Sequence, residues 1–351
     1  MTTNRQPILE SAPLGPRWPC LDPFLFCAHH DDSYPASDGK MGVQAVEFEG
    51  REMGSDFSAK DGFSMYHGEQ IPGFPGHPHR GFETVTLVRK GRIDHADSLG
   101  AAARFGGGDV QWLTAGKGIQ HSEMFPLLNS DQPNPLELFQ IWLNLPARNK
   151  MVEPHFTMFW NEQIPRLSFS DAAGRKTTVT VVAGSLDGAD KALPPPPESW
   201  ASQADSDVAI WTLALEPGAR WTMPKAAGAE THRMLYFFVG QSMSVDGEAV
   251  NEHLAMHIAA QRDLELVNTG DDTVELLLLQ GRPIGENVAQ YGPFVMNTQQ
   301  EIMQAMQDYR RTQFGGWPWK DNDPVHGAEN RRFARYPGAT EDDLPPLAAT
   351  A

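Results

Sequence analysis

Cysteine is nearly missing from this 351-residue chain, Cys20 and Cys27 being the only two. Two thiols exclude a disulfide framework and leave a zinc finger without its ligands, and since they form no Cys-x-x-Cys pair they read as small buried residues rather than a redox centre. Basic runs are missing too. With 28 Lys+Arg against 45 Asp+Glu the formal net charge is −17, which argues against direct nucleic-acid binding, because neutralising phosphates takes a dense Lys/Arg surface. Anionic membranes are disfavoured for the same reason. No stretch approaches the roughly 18 apolar residues of a membrane span, and no basic start is followed by an apolar segment. There is no Asn-x-Ser/Thr acceptor and no phosphate-binding Gly-x-x-x-x-Gly-Lys loop, and Gly240-Gln241-Ser242-Met243-Ser244 lacks the second glycine of a nucleophile elbow. The expectation is a soluble, cytoplasmic protein.

Present instead are 40% hydrophobic residues with 32 Gly and 28 Pro, the composition of a loop-rich globular protein whose length corresponds to about two domains. Short β-rich runs bounded by Gly, Pro, Asp and Asn recur at residues 83–88, 110–113, 138–143, 177–182, 209–215, 234–239, 264–267 and 274–279. Such spacing predicts an all-β sandwich or barrel. The stretch 184–207, with four consecutive prolines from Pro194 to Pro197, reads as an extended connector near the middle of the chain. A loose internal repeat sets Thr84-Val85-Thr86-Leu87-Val88-Arg89-Lys90-Gly91 over Arg233-Met234-Leu235-Tyr236-Phe237-Phe238-Val239-Gly240. One helix is predicted after Thr298-x-x-Glu301, with Ile302, Met303, Met306 and Tyr309 on one face and Gly315 and Gly316 as its stop. Beyond Trp319 the chain reads as a mobile or peripheral tail.

The strongest chemical signal is His77-Pro78-His79. In an extended segment residues i and i+2 face the same way, so both imidazoles reach one point. His121 and Glu123 have the same spacing, and the two pairs on adjacent antiparallel strands would present three imidazoles and one carboxylate. That donor set suits Fe(II), Mn(II), Ni(II) or Cu(II), with Zn chemically open. Four protein ligands leave an octahedral ion two positions, enough for an organic oxygen and dioxygen. The other histidines read more plainly: His29-His30 as loop histidines, His253 and His257 as helix-spaced without a convincing helix, and His95 with Asp97 as an outer-face pair.

Longer strings around these residues resemble the pirin family of the cupin superfamily. They are Gly76-His77-Pro78-His79-Arg80-Gly81-Phe82-Glu83-Thr84-Val85-Thr86, Asp94-His95-Ala96-Asp97-Ser98, the run from Gly108 to Met124, Phe139-Gln140-Ile141-Trp142-Leu143-Asn144-Leu145-Pro146, and Tyr291-Gly292-Pro293-Phe294-Val295-Met296-Asn297-Thr298. The resemblance implies an all-β bicupin, two double-stranded β-helix barrels with a short C-terminal helix, of which the amino-terminal barrel alone holds a metal, commonly iron. The implied division is an N-terminal extension at 1–21, a metal-binding cupin at 22–165, a cupin without metal ligands at 166–319 and a tail at 320–351.

The family's metal ligands fall on His77, His79, His121 and Glu123, and Glu83 is not among them. Counting back from Gly240 as the histidines count back from Gly91 lands on Ala226 and Gly228, which cannot ligate; a second site would need Glu230 and His232. The activity implied is that of a quercetin 2,3-dioxygenase, opening a flavonol or related phenolic ring with O2, with Glu123 also serving as base. The alternative implied is a non-catalytic, iron-dependent co-regulator of a transcription factor or metabolic enzyme. It would act through a protein partner, and in a eukaryote the nucleus is then open as well as the cytoplasm.

Overall fold

Strands form where β-branched and aromatic residues run between turn-forming Gly, Pro, Asp and Asn, because branched side chains pack well on a pleated surface. A computed structural model describes residues 6–347, so the first five positions of the 1–21 extension and the last four of the 320–351 tail lie outside the described residues. Each of the eight β-rich runs falls inside a strand, for example Phe82–Lys90, Val110–Thr114, Ala209–Leu215 and Val274–Gly281. No helix among the described residues is long and apolar enough to cross a membrane.

The chain divides into two units that interleave in sequence. The histidine-bearing unit comprises His29–Ile141, Leu145–Glu162 and the described residues from Glu286 onward. The second unit comprises the described residues through Ala28, Trp142–Asn144 and Gln163–Gly285. The contiguous division drawn at 165/166 and 319/320 follows chain order, whereas the contacts do not.

The histidine-bearing unit has a five-stranded sheet in the order His155–Phe159, Val110–Thr114, Phe82–Lys90, the part of Asn134–Asn144 up to Ile141, and the part of Phe24–Tyr34 from His29 onward. Its other sheet runs Phe333–Arg335, Ala102–Phe105, Ile93–Asp97, Ile119–Met124, Gly73–His79. A core that includes Phe63, Ile93, Phe105, Leu113, Phe156 and Trp160 joins them. In the second unit Ile8–Pro13, Leu254–Ile258, His232–Val239, Val274–Gly281 and Ala209–Leu215 are consecutive strands of one sheet, and Arg220–Met223, Leu264–Asn268, Met243–Val245 and Glu248–Val250 form another. Its core draws on both sheets, with Trp211, Leu235, Phe237 and Leu278 from the first and Trp221, Leu264 and Leu266 from the second.

Three expectations change. The proline segment is not a linker between units, because it lies within Gln163–Gly285; it ends in a turn pinned by buried Trp200, whose Nε1–H donates to Arg282 O at 2.9 Å. The helix spans Gln299–Thr312 with Thr298 as its N-cap, but Met303 is 57% exposed. The face that packs on Ala289, Phe294 and Met296 is Ile302, Ala305, Met306 and Tyr309, the true i, i+3, i+4, i+7 stripe.

The segment after Trp319 is not peripheral. Phe333–Arg335 adds an antiparallel strand to Ala102–Phe105, and the buried Arg104 guanidinium makes a bidentate pair with Asp94, both contacts at 2.6 Å, while donating to Gly327 O at 2.7 Å. Charged residues that read as a solvated tail are pair partners here.

Candidate metal centre

His77 and His79 occupy the end of Gly73–His79, which pairs antiparallel with Ile119–Met124 so that His77 lies opposite His121 and His79 opposite Ile119. Alternation then points the three imidazoles to one side of the sheet. The turn that follows is Arg80-Gly81. Gly81 has φ +86°, and a Cβ there would stand 1.9 Å from Val295 O, so only glycine fits.

Each of the three imidazoles offers a nitrogen within 4.8 Å of the others, with ring centroids 4.5 Å apart for His77 and His121, 4.9 Å for His79 and His121 and 4.8 Å for His77 and His79. Burial lowers the pKa of all three, that of His77 to about 4, so they stay neutral, as metal ligation requires. The His77 Nδ1–H donates to Pro75 O at 2.8 Å, which leaves Nε2 as its lone-pair nitrogen, and His79 turns Nδ1 toward Pro293 O at 3.4 Å. His121 is wholly buried, and neither of its nitrogens has a hydrogen-bond partner. A buried imidazole with no partner is costly unless something binds it. Three neutral imidazoles, His121 among them, converging on one point fit a divalent transition ion.

Glu123 does not join the three histidines. The residue is buried, and its carboxylate lies beside Thr86 and Gln140 instead, accepting from Thr86 Oγ1 at 3.0 Å and from Gln140 Nε2 at 3.3 Å. Burial raises its pKa, against the opposing effects of His95 and Thr86. Thr86 also sits 2.7 Å from Gln140 Oε1, so its one proton serves either acceptor. Glu83 is elsewhere engaged, accepting from Thr114 Oγ1 at 2.6 Å.

His95 and Asp97 are not on an outer face. Both are fully buried, with Nε2 3.1 Å from Asp97 Oδ2 and Nδ1 2.8 Å from Gln111 Nε2, and the His95 ring centroid is 5.5 Å from that of His121. With Gln111 donating to Nδ1, Nε2 carries the proton toward Asp97, so neither nitrogen is left for a metal. His29 and His30 are strand residues rather than loop histidines: His29 Nε2 lies 3.1 Å from Glu137 Oε1 and His30 Nδ1 2.7 Å from Tyr66 OH. Thr86, Gln111 and Gln140 were not singled out from the sequence. Their signal was there, as polar side chains that share a strand phase with buried apolar ones: Thr86 with Val88, Gln111 with Leu113 and Gln140 with Leu138.

In the second unit the register relocates the counterparts of the ligands. His79↔Ile119 and Met223↔Leu264 are the terminal pairs of equivalent strand pairs. His77 therefore corresponds to Trp221, His79 to Met223 and His121 to Leu266. Counting along the sequence reached Ala226 and Gly228 because residues 224–231 separate these strands where residues 80–81 do in the other unit. Glu230 is exposed, and His77, His79 and His121 are the one such group found among the described residues.

The pirin family model matches residues 39–143, and the model of the pirin C-terminal cupin domain matches residues 210–315. A Pseudomonas aeruginosa protein named "Putative quercetin 2,3-dioxygenase" is 36% identical over 79% of this chain and 93% of its own length. A tomato pirin-like protein is 35% identical over 72% of this chain and 80% of its own, and human pirin is 32% identical over 72% and 81%. The fold is that of a solved quercetin 2,3-dioxygenase from Acinetobacter baumannii, with a TM-score of 0.66 over 88% of this chain and 98% of that one at 24% identity. Two units of one strand order, a three-histidine group in one of them, and family matches to both halves make this chain a member of the pirin family and a bicupin.

Proposed function

We propose that the histidine-bearing unit holds one divalent transition metal, Fe(II) by preference, on His77, His79 and His121, with Glu123 as the fourth ligand once its carboxylate turns from Thr86 and Gln140 toward the histidines, and that the protein is a dioxygenase opening the ring of quercetin or a related phenolic with O2. The observation that carries this is the fully buried His121, with both nitrogens lacking a partner, among two further neutral imidazoles. The names of the relatives supply the substrate class. When bound, the ion supplies Lewis acidity toward a substrate oxygen and redox access to dioxygen.

The chain's own residues do the rest. The histidines hold the ion through neutral nitrogens. Glu123 would move between two positions: as carboxylate ligand beside the histidines, and as the base that takes the flavonol hydroxyl proton when it lies back against Thr86 and Gln140, which hold it there by hydrogen bonds at both oxygens. Because Thr86 has one proton and two acceptors in reach, it can turn toward Gln140 once Glu123 is protonated.

Fe(II)-loaded protein given quercetin in air is expected to bleach the flavonol absorbance while consuming O2. No turnover with Fe(II), Mn(II), Ni(II) or Cu(II) would defeat the dioxygenase reading in favour of a metal-dependent binding protein.

A further inference from the structure

Alternation places the three histidines on the inner side of their strands and the adjacent residues 76, 80 and 120 on the outer side. Each of these three neighbours is tied to one stretch of chain, residues 308–322. Beside His77, Gly76 N–H donates to Asn322 O at 2.7 Å. That contact satisfies an amide where the ladder to Ile119–Met124 shifts register between Phe74 and His77. Beside His79, Arg80 pairs with Asp308 at 2.9 Å and lies 4.6 Å from the Phe314 ring centroid. Beside His121, Gln120 Nε2 donates to Gln313 O at 2.7 Å and Gly316 O at 3.2 Å, and its Oε1 accepts from Tyr309 OH at 3.0 Å.

Two further features tighten the same seam. Gly118 has φ +137°, and a Cβ on it would stand 2.6 Å from the Phe314 ring, so chain and ring meet without a spacer. Trp319 Nε1–H donates at 2.8 Å to the carbonyl of Asp97, the residue opposite His121 on the neighbouring strand.

We infer that residues 308–322 form an outer clamp that sets the spacing of the three histidines, and that Arg80 and Gln120 are positioning residues for metal affinity although neither touches the ion. The inference rests on the reading of His77, His79 and His121 as ligands. On the inner side no hydrogen bond fixes His121; its ring is set there only by packing against the rings of His77, His79 and His95. Its placement then depends on its backbone, which lies between two neighbouring strands whose outer side residues 308–322 brace. A preorganised donor set binds an ion more tightly than one that must be gathered, and residues that orient ligands from behind are commonly worth about 10–100-fold in metal affinity.

The test compares wild type, Gln120→Ala, Asp308→Ala, the double variant and Asp308→Glu. It reads the Co(II) dissociation constant by chelator competition, the Co(II) visible spectrum and the thermal midpoint of the metal-free protein. The expected result is a rise in the dissociation constant of about tenfold in the double variant with a changed Co(II) spectrum, and near-recovery in Asp308→Glu. Arg335→Ala, which cuts an exposed ion pair to Asp342 in the same unit, separates general loosening from the clamp and is expected to leave the constant unchanged. A double variant that binds Co(II) within about twofold of wild type, with the same spectrum, overturns the clamp. If it does not fold, Trp319→Phe, which keeps the ring and removes one N–H, is judged by the same two readouts. Wild type that binds no Co(II) overturns the ligand assignment instead.

Discussion

Matched strand by strand, the two units have one scaffold and two interiors. Phe82–Lys90 lies between Val110–Thr114 and Asn134–Asn144 just as His232–Val239 lies between Leu254–Ile258 and Val274–Gly281. Ile93–Asp97 bridges Ala102–Phe105 and Ile119–Met124 as Met243–Val245 bridges Glu248–Val250 and Leu264–Asn268. Position for position the linings then diverge: His77, His79 and His121 stand where Trp221, Met223 and Leu266 do, and His95 and Asp97 where Met243 and Val245 do. Thr86 opposite Gln111 replaces Leu235 opposite Met256.

In the second unit these side chains join one apolar core. In the other the same strands enclose imidazoles, carboxylates and amides, and the apolar core includes residues from outside the equivalent strands, such as Phe63, Trp160 and Ala334. The scaffold thus tolerates either interior, and the site is a choice of inward side chains rather than of fold. The histidine-bearing unit gives up apolar burial for that choice. It also gains a strand, Phe333–Arg335, and the buried Arg104–Asp94 fork that the second unit lacks at those positions.

The largest effect that could break this comparison is loss of the metal. His121→Ala is expected to abolish binding, read by elemental analysis of folded protein, while Leu266→Met in the equivalent position leaves metal content at the wild-type level. Two metals per chain, or full retention in His121→Ala, would erase the functional difference between the units. Next is the cost of a hole in the apolar interior. Leu266→Ala is expected to lower unfolding stability by about 2–5 kcal/mol, the usual cost of a Leu→Ala cavity in a full core, measured by denaturant titration. A loss well under 1 kcal/mol would mean that this barrel is loosely packed. Third, Glu123→Gln keeps the shape that Thr86 and Gln140 hold but cannot take a proton. Quercetin turnover is expected to fall by at least about 10²-fold, and unchanged turnover would remove Glu123 from the proton path.

Much of this contrast was legible in the residues. The period-two spacing of His77 with His79 and of His121 with Glu123 located the strands' inner face, and alternation is a backbone property that sequence exposes directly. The alignment of Thr84–Gly91 with Arg233–Gly240 found truly equivalent strands for the same reason. What failed was whatever depended on partners distant in the chain. Whether His95 faces in or out is decided by the register of Ile93–Asp97 against Ile119–Met124, which spacing alone does not contain. Counting to Ala226 and Gly228 assumed equal turns, and turn length is free to vary between repeats. The residues after Trp319 read as solvated because Arg331, Arg332, Asp342 and Asp343 are charged, yet Arg332 reaches buried Asp109 at 2.7 Å and Asp343 receives the Trp160 indole N–H at 3.0 Å. Charge says that a residue is costly to bury unpaired; it does not say whether a partner waits.

The smallest expected effect has the sharpest sign. His121→Leu converts the histidine-bearing interior toward its counterpart at one position, where both residues are fully buried. In the metal-free wild type the imidazole has two buried nitrogens without partners, and an unsatisfied buried polar group costs about 1–3 kcal/mol. Leucine removes both nitrogens at similar volume and adds apolar contact. Part of that gain is lost because the imidazoles of His77 and His79 now face a hydrocarbon. The net expectation is that metal-free His121→Leu is more stable than metal-free wild type by about 1 kcal/mol. With metal added the order reverses, because wild type gains binding free energy that the variant cannot. Paired thermal melts with and without Co(II) read both halves of this statement. A metal-free variant clearly less stable than wild type would mean that His121 is satisfied without an ion. The polar interior would then be a packed core of another kind rather than one waiting for a metal.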